Sequence, residues 1–209
     1  MSDKEDPVQK YAKDLKESIS KTRECRFNAA RRLSNKNQLS IASISFVSVY
    51  SIAIAIIQNI FDFSECKNLN NVFTIVSILL SIFILVVSLL EGANNYQLKA
   101  DRLHSNAIEL SAIAREIKCL KILNLSEKEY REKLCELGNQ YENKIKNCPE
   151  NHNPLDYELF KVEENKSLDC WDRFWRRTWF RCQNYWLYIT FIIMPIPTLC
   201  WLYQIFKCS

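Results

Sequence analysis

Two long stretches without a charged side chain constrain this 209-residue sequence more than any other feature. The first covers residues 39–61, and the second covers residues 72–90 and ends before Glu91. A helix of the first length rises about 34 Å, which is enough to cross a hydrocarbon core of about 30 Å. Because lipid offers no partner for backbone polar groups, both stretches must be helical, and the short link between them predicts an antiparallel hairpin. A buried helical pair in a soluble core is the competing interpretation, and two uncharged runs of this length disfavour it.

The composition outside the hairpin points to helices as well. The mean hydropathy of -0.19 conceals a segregation of polar and apolar blocks. The two glycines, Gly92 and Gly138, lie too far apart to build a phosphate-cradling loop. So few glycines, with five prolines, favour long uninterrupted helices over a turn-rich β architecture.

A third uncharged run covers residues 186–206, and Pro195 and Pro197 lie in its middle. Membrane helices tolerate proline, although two this close together predict a kink or a break. We interpret the run as a third transmembrane helix, with an interfacial or re-entrant helix as the alternative. The predicted fold class is therefore an all-α membrane protein with an antiparallel transmembrane hairpin, long cytoplasmic helical extensions and a third C-terminal transmembrane helix.

Arginine and tryptophan alternate in the segment that leads into this third run. Aromatic rings at headgroup depth and guanidinium groups on phosphates are typical of a lipid interface. Nucleic acid could use the same residue types, but beside a membrane span the lipid headgroups are the more economical partner. The predicted lipid-interface residues are Trp171, Arg173, Trp175, Arg176, Arg177, Trp179 and Arg181.

The positions of basic residues predict how the hairpin is oriented. Lysines and arginines crowd the twenty residues before the first span and recur after the second, whereas the hairpin turn holds Lys67 alone. By the positive-inside rule, the N-terminus and the segment between the second and third runs are cytoplasmic. No secretory signal peptide is expected, since 38 mostly polar residues precede the first apolar run.

Outside the membrane, small and large apolar residues repeat every seven positions, which is typical of packed helices. We expect the second membrane helix to continue as a stalk, the two stalks to pack antiparallel, and Leu103, Leu110 and Ile117 to form an oligomer seam. Ser126 and Glu129 form a predicted capping box that opens another helix, to about Asn147. The predicted division is 1–38 amphipathic helix, 39–91 hairpin, 92–147 stalk, 148–170 linker and 171–209 interfacial segment with the third span.

Thr74, Ser77, Ser81 and Ser88 share one face of the second span, within an arc of about 60° at 100° per residue. Hydroxyls on one face can line a pore in an oligomer. They can equally permit close packing of helices and bond across them, and both interpretations stay open. Glu91, at the end of the same helix, could select cations, pair with an arginine of the first stalk, or mark the membrane boundary.

No pattern for catalysis or for metal binding stands out. The nine cysteines are scattered without a C-x-x-C pair, and neither histidine lies at ligand spacing from such a pair. The sequence contains neither H-E-x-x-H nor G-x-S-x-G. We therefore expect no metal, no cofactor and no enzymatic activity, mostly reduced thiols, and a packing role for His104 rather than a pH sensor.

Two motifs resemble those of a known family. RFNAARRL at residues 26–33, followed by the hairpin and then SLLEGANNYQLKADRLHSNAIELS at residues 88–111, is similar to the SLATT domain, the SMODS- and SLOG-associating two-transmembrane effector. NHNPLDYELFK at residues 151–161 resembles the tail of a subfamily found beside reverse transcriptases. The third apolar run departs from the two spans in the family name. Positions that match the motifs are Arg26, Arg31, Arg32, Glu91, Asn95, Tyr96, Arg102, Leu103 and His104.

The resemblance implies a bacterial anti-phage effector in the inner membrane. A partner sensor encoded nearby, either a nucleotide-signal synthase or a reverse transcriptase, would trigger homo-oligomerisation and permeabilisation. The lipid bilayer would be its other partner, and no direct contact with nucleic acid is expected. The alternative is a non-conducting tether or adaptor that presents a cytoplasmic helical module to a partner.

Overall fold

A computed structural model describes residues 6–60, 67–120, 122–123, 125–164 and 169–193, with the side chains of residues 67–69 and 181 left aside. These residues are almost entirely helical and contain no strand, which confirms the predicted all-α fold class. Six helices occur in the described residues: α1 Pro7–Ile60, α2 Lys67–Asn94, α3 Tyr96–Leu120, α4 Glu127–Lys146, α5 Pro154–Glu164 and α6 Cys170–Ile193.

The chain divides into two compact units, and both α1 and α6 contribute to each of them. The core unit takes the described residues of Met1–Ser34 and Gln97–Phe180. The hairpin unit takes those of Asn35–Tyr96 and Arg181–Ser209. Each unit is described by itself below.

The hairpin unit pairs the second half of α1 with α2. Gln58 of α1 contacts Asn70, and Ile54 packs on Phe73. Tyr50 and Leu80 extend the same cluster. As the partner on α1 moves towards the N-terminus, the partner on α2 moves towards the C-terminus, so the two helices are antiparallel, as predicted.

Most apolar side chains of this hairpin are exposed rather than buried. Only 17% of the most apolar stretch of α1 and 6% of that of α2 is buried in the protein. Both helices are long and apolar enough to cross a membrane. Because a helical pair at the centre of a soluble protein would be mostly covered, the competing interpretation of a soluble core does not describe this hairpin.

The second membrane helix does not continue unbroken into the stalk. Helix α2 ends at Asn94, and α3 begins at Tyr96 after Asn95, whose φ of 50° lies in the left-handed region. The Asn95 N–H bonds to the carbonyl of Gly92, as in a helix that ends on a left-handed residue. Asparagine tolerates this conformation better than most residues, so the expected continuous stalk is corrected to two helices joined at Asn95.

The core unit is built around the packing of α1, α3 and α4. Ile19 of α1, Leu110 and Ile117 of α3, and Leu134 of α4 belong to one buried cluster. The antiparallel packing of the two stalks is thus present within one chain. Helix α4 approaches α1 closely at Gly138, where an added Cβ would lie 2.6 Å from the hydroxyl oxygen of Tyr11.

The seam residues require a correction. Leu103, Leu110 and Ile117 are 0% exposed, and residues of the same chain bury them. A side chain with no accessible surface has nothing left to offer a second copy. These residues therefore pack inside the core unit, and we expect no contact between chains at this face.

The capping box at the start of α4 is confirmed. The hydroxyl of Ser126 accepts the N–H of Glu129 at 3.4 Å, and the Glu129 carboxylate accepts the N–H of Ser126 at 3.0 Å. The hydrogen bonds from Ser126 lower the pKa of the Glu129 carboxyl. Helix α4 then runs to Lys146, with Asn147 as its C-cap, where the sequence places its end.

The segment predicted as a linker contains a helix. Asn153 precedes α5, and its side-chain oxygen accepts the N–H of Leu155 at 3.1 Å. Pro154 occupies the first helical position, where its missing N–H costs nothing. The prediction of a linker over 148–170 was wrong because asparagine and proline, which are typical of loops, are also typical of the first residues of a helix.

Candidate functional site

The hydroxyl stripe of α2 is divided between bonds to its own helix and a contact with α1. Thr74 donates to the carbonyl of Asn70 at 3.0 Å and accepts from the Gln58 amide at 3.2 Å. Ser81 donates to the carbonyl of Ser77 at 2.8 Å. The Ser77 hydroxyl is buried and has no hydrogen-bond partner within the described part of the chain. Thr74 therefore takes part in the α1–α2 contact, while Ser81 lies on the exposed surface of the hairpin.

Glu91 meets a phenol rather than an arginine in the part of the chain that the structure describes. The hydroxyl of Tyr188, on α6, lies 3.1 and 3.0 Å from the two carboxylate oxygens of Glu91. The carbonyl of Tyr188 accepts a hydrogen bond from the Ser43 hydroxyl at 3.1 Å. This arrangement links α1, α2 and α6 within the hairpin unit. Among the roles considered for Glu91, pairing with an arginine of the first stalk is therefore not the one observed.

Sequence reasoning did not single out Tyr188 as a partner of Glu91. A phenol inside an apolar run was a usable signal, since a buried tyrosine hydroxyl usually finds a partner. The Glu91–Tyr188 pair itself could not be predicted, because nothing in the sequence indicates which helix lies opposite Glu91.

The family-motif residues of α2 and α3 take separate structural roles. Asn95 supplies the left-handed residue between the helices. Tyr96 receives the ammonium group of Lys36 over its ring, 4.5 Å from the centroid. In the core unit, Arg102 pairs with Glu150 at 3.5 Å, and the His104 ring meets the edge of Phe27 at 5.4 Å. Leu103 is buried against Ala29 and Ala30.

The arginines of the RFNAARRL motif differ in their surroundings. Arg31 is exposed. Arg32 donates two parallel hydrogen bonds to Asp156, from Nε to Oδ1 at 2.8 Å and from Nη2 to Oδ2 at 3.0 Å. Arg26 is only 3% exposed, and its Nε and Nη1 are buried without a hydrogen-bond partner among the described residues. The core unit therefore encloses a guanidinium group that donates fewer hydrogen bonds there than it can.

Asp156 is the centre of the buried polar cluster at the start of α5. It is 2% exposed and accepts the N–H of Asn153 at 2.8 Å in addition to the Arg32 bonds. Its own carbonyl lies 3.5 Å from the Asn28 amide nitrogen. The carboxylate thus completes the cap of α5 and ties this helix to α1. Sequence reasoning missed Asp156, although a carboxylate three residues after a helix-capping asparagine is a recognisable pattern.

Two titratable groups beside this cluster are held neutral by their surroundings. Burial raises the pKa of the Cys25 thiol to about 11, and the charge of Asp156 acts in the same direction. Burial lowers the pKa of His152, with Asp156 opposing the shift and Arg26 adding to it. A neutral thiol and a neutral imidazole suit a structural cluster rather than a nucleophilic one.

The tryptophans of α6 form an exposed aromatic surface with arginines among them. Trp171, Trp175 and Trp179 are all more than half exposed. Trp171 and Trp175 meet edge to face at 5.8 Å, and Arg177 pairs with Glu163 at 3.3 Å. Arg176 is exposed, Arg173 is partly buried, and Arg181 belongs to α6. The predicted kink at Pro195 and Pro197 and the rest of the third run lie outside the described residues.

A comparison with protein families places these features in context. The model of a family described as SMODS and SLOG-associating 2TM effector domain family 5 matches residues 8–201. The matched range includes the hairpin, the two motifs, the polar cluster around Asp156 and the described part of α6. No curated protein and no solved structure matches the chain significantly.

Proposed function

This chain belongs to the SMODS and SLOG-associating 2TM effector domain family 5, and from that premise we propose that it permeabilises the inner membrane of a bacterium during phage infection. Membership makes it a membrane effector of conflict systems and confirms the resemblance read from the motifs. The family is one of two-helix membrane domains and is not a known enzyme family. Association with a reverse transcriptase rather than a nucleotide-signal synthase stays a prediction.

The observation that carries the proposal is the uncovered apolar surface of α2. Only 6% of its most apolar stretch is buried, so the part of its surface that does not contact α1 or α6 is open to lipid or to other copies. Two helices cannot enclose a conducting path, so permeabilisation requires several chains. In our proposal a partner sensor triggers this assembly, and α2 faces the lumen.

The polar side chains of α2 favour that face as the lumen wall. The hydroxyls of Ser81 and Ser88 can replace part of the hydration of a passing ion, and the Ser77 hydroxyl, which is buried in the single chain, would join them on assembly. Glu91 adds a negative charge at one end, which would favour cations. In the single chain the Tyr188 hydroxyl binds this carboxylate. Assembly would therefore break this hydrogen bond or leave the carboxylate shared between Tyr188 and the lumen.

Replacing Ser77, Ser81 and Ser88 together with leucine tests the proposal. Bulky apolar groups in a narrow lumen expel water, so dye entry and toxicity should be abolished. Membrane insertion should persist, since each leucine favours the bilayer by a few tenths of a kcal/mol. The alanine triple variant keeps the side chains small and should lose less permeabilisation. Ser45→Leu, at an exposed serine of α1 outside the stripe, is the matched control and should leave dye entry unchanged.

The outcomes separate the proposal from the tether or adaptor. An assembled leucine variant without dye entry supports a pore lined by the stripe. Loss of crosslinked assembly with leucine, and normal assembly with alanine, would assign the stripe to packing alone. Full permeabilisation by an assembled leucine variant would exclude it as the channel wall. A wild-type chain that never dissipates the membrane potential beside its activating partner would favour the tether.

A further inference from the structure

A cleft in the core unit lies between the first part of α1 and α5. Its volume is about 380 Å³, and Lys13, Lys16 and Lys21 line one wall while Lys161 lines the other. Pockets that hold small molecules begin at roughly 300 Å³. The cleft is therefore large enough for a small ligand, and lysines are the majority of its charged residues.

Two of these lysines are held in place by one aromatic ring. The ammonium nitrogens of Lys21 and Lys161 lie 4.5 and 4.4 Å from the centroid of the Tyr157 ring. The negative face of the ring attracts both ammonium groups, and Lys161 also pairs with Glu158 at 2.9 Å. Ammonium groups are point charges that suit phosphate oxygens.

The other polar residues of the cleft indicate which chemical groups a ligand must carry besides the negative charge. Glu17 and Glu164 line it together with Ser20. Carboxylates would repel bare phosphate but accept hydrogen bonds from hydroxyl groups, and the serine can do either. We propose that this cleft binds a phosphate group attached to a hydroxyl-bearing skeleton, such as a phosphorylated sugar or polyol, and that the α1 and α5 lysines hold the phosphate. Such a ligand can be a soluble metabolite or the headgroup of an anionic phospholipid.

The test uses the full-length chain in a non-ionic detergent and calorimetric titration. The soluble probe is glycerol 3-phosphate. The lipid probe is short-chain phosphatidylglycerol, with short-chain phosphatidylcholine as its zwitterionic control. Saturable binding of either anionic probe is expected, and it should weaken as salt screens the charges.

The cleft variant is Lys16→Gln with Lys21→Gln. Its matched control is Lys128→Gln with Lys133→Gln, an equal loss of charge on the exposed surface of α4. The cleft variant should weaken binding by about tenfold or more, since each charged hydrogen bond lost is worth at least that factor. The control should change it less than about twofold, and circular dichroism should show both variants folded.

Binding of glycerol 3-phosphate that the cleft variant loses supports the site with a soluble ligand. If only phosphatidylglycerol binds, and the cleft variant loses that binding, the result supports the site with a lipid headgroup as its ligand. Equal binding by both double variants, or no saturable binding of either anionic probe, overturns the proposal. None of these outcomes depends on whether the chain forms a pore.

Discussion

Asp156 shows how much of the core unit depends on one side chain. Its carboxylate accepts two hydrogen bonds from Arg32 and a third from the N–H of Asn153. The same carboxylate therefore pairs with the guanidinium of Arg32 and caps the first turn of α5. A buried ion pair is weak evidence of net stabilisation, but removing one partner leaves the other charge buried and uncompensated.

We expect Asp156→Asn to destabilise the core unit by about 3 kcal/mol or more. The amide keeps the shape of the carboxylate but points an NH₂ group at donors on Arg32 or Asn153. Urea unfolding of the full chain in detergent, followed by circular dichroism, measures the change. Glu158→Gln is the matched control, because the Glu158–Lys161 pair is half exposed on both sides and such pairs contribute roughly 0–1 kcal/mol. Equal stability of the two variants would show that the Arg32 pair does not hold α5.

At the scale of the element, α3 has one face that is fully used inside the chain. Leu103, Leu110 and Ile117 have the spacing of a seam between helices, and the structure satisfies that spacing with helices of the same chain. A heptad repeat indicates that an apolar face must be covered. It does not indicate whether the cover belongs to the same chain or to another.

Leu110→Asp should therefore unfold the core unit rather than dissociate chains. A buried, unpaired carboxylate costs several kcal/mol. Ile108→Asp is the control on the same helix, because Ile108 is 50% exposed and a surface substitution changes stability by about 0.5 kcal/mol or less. Limited proteolysis of membranes that contain each variant measures the effect. Were Leu110→Asp to stay protease-resistant and lose only crosslinking between chains, the seam would have to lie between protomers.

At the scale of the whole molecule, the distribution of basic residues predicts the orientation in the membrane. Arginines and lysines cluster before the first span and after the second, whereas Lys67 stands alone in the hairpin turn. The exposed tryptophans of α6 and the exposed Arg176 suit the headgroup region of the same side. We propose that the core unit is cytoplasmic and that the run after Trp186 returns across the membrane.

A reporter that fluoresces only in the cytoplasm tests this orientation. Fusions at the N-terminus and after residue 150 should be bright, and a fusion after Cys208 should be dark. The physical reason is that arginine and lysine near the ends of spans resist translocation. A bright C-terminal fusion would show that the third run does not cross, and a dark N-terminal fusion would reverse the whole topology.

The sequence by itself determined the features that depend on neighbouring residues. The two spans and their antiparallel hairpin follow from uncharged length, because the bilayer acts on each segment separately. The capping box of Ser126 and Glu129 closes over three residues and was recognisable for the same reason. The family motifs are likewise read along the chain.

The tertiary structure alone decided the contacts between residues that lie far apart in sequence. Arg32 and Asp156 are 124 positions apart, and Glu91 and Tyr188 are 97 apart. Such a pair forms only when the helices that carry it pack, and a pattern on one helix does not name its partner on another. The same reason explains why the seven-residue repeat of α3 did not reveal that helices of the same chain cover its apolar face. Asp156 completes the cap of α5, and the arginine that holds it comes from α1.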